Sequence, residues 1–159
     1  MGCDPLNEAA VSRVLALKSR PENKGLILIA ADIKQLAAYT AGLEKKKLKL
    51  IIESQGKGMT WLIPNLGVAP DWITGGQATL AVRVSNHPSV VGICEAYGGA
   101  MVSTSANPGG RPAATNLITV HRYFPNLIDV IVPGTTAGQN GPTEIRELET
   151  GRIIRPKQT

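Results

Sequence analysis

Residues 26–30 read Leu-Ile-Leu-Ile-Ala and contain no polar side chain. A short run that is apolar at every position, and not only at alternate ones, is typical of a strand covered on both faces. Segments with the features of helices flank it. One carries Val11, Val14 and Leu15 on a common face, and the other covers residues 32–39. Because strand and helix alternate, the sequence predicts an α/β fold with a mixed sheet.

Working outward from this run, Gly, Pro and Asn separate further segments of both kinds. Asp4 followed by Pro5 indicates a helix start, since Asp can cap a helix and Pro is tolerated in the first turn. Gly151 predicts the turn of a C-terminal hairpin. We find no repeat or linker, so residues 1–159 are predicted to form one domain. Helices are predicted at 4–20, 32–39, 43–53, 87–97 and 116–123, and strands at 26–30, 59–63, 79–84, 100–103, 127–132, 144–148 and 152–155.

The composition is that of an ordinary globular protein with an excess of basic residues. The chain has 17 basic and 12 acidic residues, a net charge of +5. Such a charge suits a nucleotide or an RNA, although charge alone does not separate these from a basic domain without a specific partner. Cys3 and Cys94 lie far apart without a Cys-x-x-Cys pattern, which argues against a disulfide scaffold or zinc site and favours a reducing cytoplasm. No apolar run has transmembrane length, so no membrane contact is expected.

Two cations stand where the first predicted helix ends, in Lys18-Ser19-Arg20-Pro21. A lysine and an arginine two residues apart could clamp a carboxylate, bicarbonate or phosphate, and Arg20 could donate two parallel hydrogen bonds. The alternative is a solvated helix end, because the helix dipole favours cations there in any protein. The spacing leaves both interpretations open.

Small hydroxyl side chains follow the predicted strand at 100–103, in Ser103-Thr104-Ser105-Ala106-Asn107. A strand end with free amides and hydroxyls is suited to hold a phosphate or a ribose. The same residues could instead form a plain polar turn. The chain contains neither Gly-x-x-x-x-Gly-Lys-Ser/Thr nor Gly-x-Gly-x-x-Gly, so the two common phosphate-binding loops are excluded.

Charged residues at two further places have two interpretations each. Arg83 lies inside the apolar strand predicted at 79–84, where a charge is costly unless it is paired, faces a ligand cleft, or points to solvent from an edge strand. Residues 45–47 and Lys49 form a lysine run on a predicted helix. Such a run is usually a solvated face, and its alternative is contact with an RNA backbone.

Taken together and in this order, the motifs resemble the YrdC/Sua5 family of threonylcarbamoyl-AMP synthases, and within it the bacterial short form. The resemblance runs almost from end to end. Its matching segments are Gly2-Cys3-Asp4, Lys18-Ser19-Arg20-Pro21, Leu80-Ala81-Val82-Arg83-Val84 with His87-Pro88, Ser103-Thr104-Ser105-Ala106-Asn107, Pro142-Thr143-Glu144-Ile145-Arg146, and Arg155-Pro156.

The resemblance implies a twisted mixed sheet flanked by helices around a basic cavity. It implies synthesis of threonylcarbamoyl-AMP from L-threonine, bicarbonate and ATP, with Mg²⁺ bound through ATP, and with pyrophosphate released. Partner proteins would then transfer the threonylcarbamoyl group to an adenosine of tRNA. By position, Lys18 and Arg20 would hold bicarbonate and the ATP phosphates as catalytic residues, and Arg83 the threonine carboxylate. The implied ATP-binding residues are Ser103, Ser105, Asn107, Thr143 and Arg155, and no residue is implied as a metal ligand.

The sequence departs from the family at two places. Family members carry a first strand and a Pro-Thr-Glu motif before Gly-Cys-Asp, whereas Met1 directly precedes Gly2 here. Either a misplaced translation start or a genuinely shortened relative would explain the missing segment. If the chain is this short, we expect exposed sheet edges, low stability and self-association. Residues 55–60 read Gln-Gly-Lys-Gly-Met-Thr where the family has Trp-Pro-Gly-Pro-x-Thr. Two alternatives to the enzyme therefore stay open: a non-catalytic module that binds tRNA or double-stranded RNA, and an inactive truncated relative.

Overall fold

A computed structural model describes residues 1–134 and 141–157, and a mixed sheet forms the centre of this part of the chain. The strands of the sheet are β1 Ile27–Ala30, β2 Met59–Pro64, β3 Thr79–Val84, β4 Met101–Ser103, β5 Glu144–Glu147 and β6 Ile153–Arg155. Their order across the sheet is β4-β1-β3-β2-β5-β6. β1 is parallel to β3 and β2 is parallel to β5, while the other neighbours are antiparallel. The predicted α/β class with a mixed sheet is confirmed.

Six α-helices lie around the sheet in the described ranges, together with 3₁₀ turns at Glu22–Lys24 and Ile33–Leu36. The helices are α1 Glu8–Lys18, α2 Ala37–Thr40, α3 Lys45–Glu53, α4 Asp71–Thr74, α5 Pro88–Tyr97 and α6 Leu117–Tyr123. None of them has the length and hydropathy needed to cross a bilayer. The short helix α4 was not predicted, because four residues are too few to set up a helical repeat of apolar positions.

The first helix begins four residues later than its sequence predicts. Asn7 is its cap, and the Asn7 side chain accepts a hydrogen bond of 3.0 Å from the amide of Ala10. Asp4 instead accepts a bond of 2.8 Å from the amide of Leu6, in the turn before the helix. Asp and Asn are nearly equal as helix caps. Two such residues three positions apart therefore leave the start of a helix undetermined in the sequence.

β3 has neighbours on both sides, and this decides how Arg83 is placed. Leu80, Val82 and Val84 point to one face of β3 and are almost completely buried in the core. Arg83 points to the opposite face and is paired in register with Ile29 of β1. The interpretation of Arg83 as a solvent-facing residue of an edge strand is therefore wrong. Its side chain projects from a strand in the middle of the sheet.

The strand predicted at 127–132 is not formed. No strand among the described residues pairs with this segment, and its apolar side chains line a cavity instead. The guanidinium of Arg13 holds the segment by a bond of 2.7 Å to the carbonyl of Leu127 and bonds of 2.9 and 3.0 Å to the carboxylate of Asp129. A run of apolar residues predicts burial on one side, but a strand also requires a neighbour to share its hydrogen bonds.

Candidate active site

Four cationic side chains lie close enough to influence one another: Lys18, Arg20, Arg83 and Arg155. Within residues 1–134 and 141–157, none of these cations lies within 4.0 Å of an Asp or Glu carboxylate. Their positive charges affect one another, since Arg20 contributes to a lowered pKa at both Lys18 and Arg155, and Arg155 does the same at Arg83. Burial is the larger cause in each case. We call these four residues the cationic cluster.

Lys18 is the most deeply buried member of the cluster, with 5% of its surface exposed. Its ammonium donates hydrogen bonds of 2.5 Å to the carbonyl of Ser105, 2.9 Å to the carbonyl of Asn107 and 3.3 Å to the Asn107 side-chain oxygen. An ammonium has three donors, so three acceptors occupy all of them. Burial, and after it the charge of Arg20, lowers the pKa of Lys18 to about 8.

Arg20 is anchored by main-chain carbonyls that follow it in the chain. Its Nε and Nη2 donate to the carbonyl of Gly25 at 3.3 and 2.8 Å, and Nη2 also lies 3.3 Å from the carbonyl of Lys24. These carbonyls belong to the turn that precedes β1. The pattern leaves Nη1 of Arg20 without a bond to the described residues, so one edge of the guanidinium is available to an anion.

Arg83 lies between two threonine hydroxyls. Its Nε and Nη2 donate to Oγ1 of Thr60 at 3.0 and 2.8 Å, and Nη2 also donates to Oγ1 of Thr143. Thr60 is fully buried and Thr143 nearly so. Burial, and after it the charge of Arg155, lowers the pKa of Arg83 to about 10. The arginine stays cationic at neutral pH and is oriented by neutral acceptors.

Arg155, on the outer strand β6, uses the same threonine. Its Nε and Nη2 donate to the carbonyl of Thr143 at 3.1 and 2.7 Å. Thr143 thus holds Arg83 through its hydroxyl and Arg155 through its main chain. The structure brings Thr143 together with both arginines and makes it a link between them, while the implied role of Thr143 in ATP binding stays a prediction.

The loop that follows β4 is organised by Asn107. Its side-chain oxygen accepts from the hydroxyl of Ser105 at 2.5 Å, and its amide donates to the carbonyls of Pro108 at 3.2 Å and Arg111 at 2.7 Å. Together with Lys18, these bonds give the loop one shape. Ser105 remains exposed, while Ser103 is half-buried at the end of β4. The sequence prediction of a strand followed by a hydroxyl-rich loop is therefore confirmed.

A cavity among the described residues differs from the basic cavity that the resemblance implied. It has a volume of about 600 Å³ and mainly apolar walls. Arg13 and Asp129 are its charged lining residues, whereas none of the cationic cluster lines it. Ser103 and Ala106 do line it, so this apolar cavity and the cationic cluster meet at the loop after β4. The cavity is mainly apolar because the residues that face it from α1, α5 and the segment 127–132 are mostly apolar.

The sequence prediction of site residues missed Thr60. The residue is the only hydroxyl in the run Met59-Thr60-Trp61-Leu62-Ile63, and that is the signal that could have found it. A polar side chain in a buried strand requires a partner. A second lone polar residue, Arg83, lies in the antiparallel neighbour β3. Pairing these two anomalies would have predicted the contact.

The lysine run on α3 is solvated, as one of its two interpretations predicted. Lys45 and Lys46 are exposed. Lys47 pairs with Glu149 at 2.5 Å and Lys49 with Glu53 at 3.6 Å. Contact of this face with RNA stays a prediction.

Comparison with known proteins identifies the protein family of this chain. Residues 1–156 match the protein family labelled Sua5, YciO and YrdC and described as Telomere recombination. The chain belongs to the Sua5/YciO/YrdC family. This match covers almost all of the chain and confirms the membership that the motifs predicted.

Relatives within the family bear the name of an enzyme. Threonylcarbamoyl-AMP synthase of Halorhodospira halophila is 50% identical over 155 residues, which are 98% of this chain and 81% of that protein. The protein of the same name from Cellvibrio japonicus is 44% identical over 156 residues, 98% of this chain and 82% of that one. The prediction of an enzyme of the nucleotidyltransferase type is confirmed at this level, and the non-catalytic alternative is not favoured.

A solved structure supports the same placement. The fold is similar to that of P. abyssi Sua5 complexed with L-threonine, with a TM-score of 0.88 and 27% identity. The similarity covers 98% of this chain and 46% of the Sua5 chain. This chain therefore spans slightly less than half of that protein, and the rest of Sua5 has no counterpart in the comparison.

Proposed function

We propose that this chain makes threonylcarbamoyl-AMP from L-threonine, bicarbonate and ATP, and releases pyrophosphate. The observation that carries the proposal is the cationic cluster, which has no carboxylate partner among the described residues. Cations that a protein buries are normally paired. Three arginines and a lysine without an acid are suited to receive several anionic groups at once. All three proposed substrates carry such groups.

The proposed reaction has two steps. The amine of threonine adds to the carbon of bicarbonate and gives an N-carboxylate, with loss of one water. An oxygen of this carbamate then attacks the α-phosphorus of ATP, and the bond from that phosphorus to the bridging oxygen of pyrophosphate breaks. One threonine, one bicarbonate and one ATP thus give one threonylcarbamoyl-AMP, one pyrophosphate and one water.

The main obstacle to this reaction is the repulsion between its anions, and the cluster addresses it. Fixed cations in a site shielded from water hold anions together and stabilise the charge that develops at phosphorus. Among the residues that the structure describes, Nη1 of Arg20 and Nη1 of Arg155 make no hydrogen bond, and we assign these two arginines to the phosphates. We assign Arg83 to the carboxylate of threonine. Ser105 lies on the loop whose oxygens bind Lys18, and Ser103 ends the strand before that loop. We assign both to the nucleotide.

Lys18 has two parts in this proposal, since it holds the loop and contacts an anion, whereas Asn107 acts only through the loop. All three donors of Lys18 point to oxygens of the loop after β4, and the longest of these bonds, to the Asn107 side chain, is the one that an incoming phosphate or bicarbonate would replace. Lys18 would then contact an anion while it still holds the loop by two carbonyls. Asn107 supports the nucleotide by keeping the loop in one shape.

Mg²⁺ would arrive bound to ATP. Phosphate oxygens and water supply most Mg²⁺ ligands at such sites, and the protein needs to contribute few. Within the described ranges there is no group of three or more His, Cys, Asp or Glu side chains placed to hold a metal ion. When bound, Mg²⁺ would neutralise charge on the phosphates. A cytoplasmic location, and a later transfer of the threonylcarbamoyl group to a tRNA adenosine by partner proteins, belong to the same proposal.

Pyrophosphate release tests the proposal directly. Purified protein is incubated with ATP and Mg²⁺, and pyrophosphate is measured with both L-threonine and bicarbonate, with each alone, and with neither. We expect release only when both are present, together with a nucleotide product that contains labelled threonine. Release that does not depend on threonine, or none from a folded protein, would reject the proposed function.

A further inference from the structure

We propose that Thr60 is the positioning residue of this site, and that its hydroxyl sets the direction in which Arg83 presents its guanidinium to the substrate carboxylate. This inference rests on the proposed function. Nothing in the family comparison assigns a role to Thr60. Thr60 is fully buried and therefore does not touch a ligand. Its proposed effect on the substrate is through Arg83.

The geometry is a two-pronged contact on a single atom. Nε and Nη2 of Arg83 both donate to Oγ1 of Thr60, at 3.0 and 2.8 Å. Two bonds from one edge of a planar group to a single oxygen fix the direction in which that edge points. Thr143 binds the Nη2 corner from another side. The Nη1 amino group, which makes no bond to the described residues, is therefore held in a fixed position.

The chemical nature of the acceptor matters as much as its position. A carboxylate at residue 60 would bind the same edge of Arg83 more strongly, but it would also neutralise the charge that has to attract an anion. A hydroxyl orients the guanidinium and leaves its charge intact. This explains why Arg83, which is half-buried, has threonines and no acid as its partners among the described residues.

The placement of Thr60 in the sheet makes it rigid. It lies at the start of β2, which is hydrogen-bonded to β3 on one side and to β5 on the other. Thr60 is paired in register with Ile145 of β5, and Arg83 extends from β3. The acceptor and the arginine therefore project from neighbouring strands of one sheet, so their separation is fixed by the backbone.

Three variants separate a positioning role from a merely structural one. Thr60→Val keeps the shape of the side chain and removes the acceptor, whereas Thr60→Ser keeps the acceptor. Thr74→Val is the matched control, because Thr74 is also buried and its hydroxyl has no hydrogen-bond partner within the described ranges. For Thr60→Val we expect the KM for threonine to rise by about tenfold or more, because the substitution removes a hydrogen bond to a charged group. The KM for ATP should change less than about twofold, which is less than the loss of one hydrogen bond would cause, because Arg83 is not assigned to ATP. Thr60→Ser should restore threonine binding, and Thr74→Val should leave both constants unchanged.

A second measurement does not depend on activity. The Nε–H group of Arg83 gives an NMR signal that is identified by its disappearance in Arg83→Lys. We expect Thr60→Val to shift this signal and to speed its exchange with water, while Thr60→Ser and Thr74→Val leave it in place.

The outcomes distinguish this inference from the proposed function. If the wild-type chain shows no threonine-dependent pyrophosphate release, the proposed function fails, and the NMR signal still tests the contact between Thr60 and Arg83. If the wild type is active, equal losses of threonine and ATP affinity in Thr60→Val would overturn the positioning role. An Arg83 signal unchanged by Thr60→Val would overturn it in either case.

Discussion

Lys18 binds both oxygens of Asn107, the main-chain carbonyl at 2.9 Å and the side-chain oxygen at 3.3 Å. The two residues are far apart in the chain and join the end of α1 to the loop after β4. A further bond runs in the opposite direction, from the amide of Gly109 in the loop to the carbonyl of Lys18 at 2.6 Å. The end of α1 therefore determines the shape of that loop through both a side chain and the backbone.

The protonation of Lys18 is expected to control nucleotide affinity. The pKa of Lys18 is lowered to about 8, so the ammonium carries its full set of donors below that pH and loses one as the pH rises through it. We expect the dissociation constant for ATP, measured by calorimetry from pH 6.5 to 9.5 or so, to increase above a pH of about 8. In Lys18→Arg the increase should move to higher pH, since a guanidinium stays protonated. The same pH profile in both proteins would contradict the assignment.

Arg83→Lys is expected to weaken threonine binding while the protein stays folded. Lysine keeps the positive charge but cannot make the two-pronged contact with Thr60 or present a planar edge to a carboxylate. We expect the KM for threonine to rise by about 10- to 100-fold, equivalent to about 1.4–2.7 kcal/mol. Arg152→Lys is the control, because Arg152 lies in the exposed β5–β6 turn and pairs with Glu147. Equal effects of the two substitutions would show that Arg83 has no special role.

Gly75 and Gly76 provide a matched test of a close backbone contact that supports Arg20. Both have positive φ, 68° and 72°. A Cβ at Gly75 would lie 2.5 Å from the carbonyl oxygen of Glu22, in the turn whose later carbonyls bind Arg20, whereas a Cβ at Gly76 meets nothing within 4 Å.

We expect Gly76→Ala to reduce the free energy of unfolding by about 1–2 kcal/mol, the cost of a left-handed conformation. Gly75→Ala should reduce it by more, since backbone must also move. Urea unfolding measures both. A ranking in which Gly76→Ala is the more damaging substitution would refute the reported contact.

Leu28→Ala tests the core under the site. Leu28 is fully buried in β1 and paired in register with Val82. We expect a loss of about 2–5 kcal/mol in the free energy of unfolding, from lost burial and the cavity left behind. Leu6→Ala, at a residue that is 67% exposed, should cost less than about 0.5 kcal/mol. Similar midpoints for the two variants in urea would mean that β1 is not in the core.

Much of the fold could be predicted from local patterns. The fully apolar run at 26–30, the alternation in β3, and Pro88 after His87 each determine their own element, and all three appear where expected. The strand prediction at 127–132 was wrong because local composition was not sufficient. Its composition favours a strand, but strand formation depends on a neighbour that lies elsewhere in the chain.

The candidate site was only partly predictable, because a site is made of contacts between distant residues. Lys18, Arg20 and Arg83 could be picked out by their charge in unusual positions. That Lys18 would use its donors on the loop after β4 could not, since 87 residues separate it from Ser105. Thr60 was detectable as a lone hydroxyl in an apolar strand, but that its oxygen accepts from Arg83 follows only from the pairing of β2 with β3.

The cationic cluster, which has no carboxylate partner in the part of the chain that the structure describes, has a consequence for the lifetime of this protein in a cell. Like charges that face one another without an acid raise the free energy of the folded chain, and bound polyphosphate removes that repulsion. Ligands that bind the folded state alone stabilise it in proportion to the logarithm of their concentration. The folded fraction, and with it the resistance to proteolysis, would therefore follow the supply of nucleotide. Starved cells would hold less of this protein through faster turnover, without any change in its synthesis.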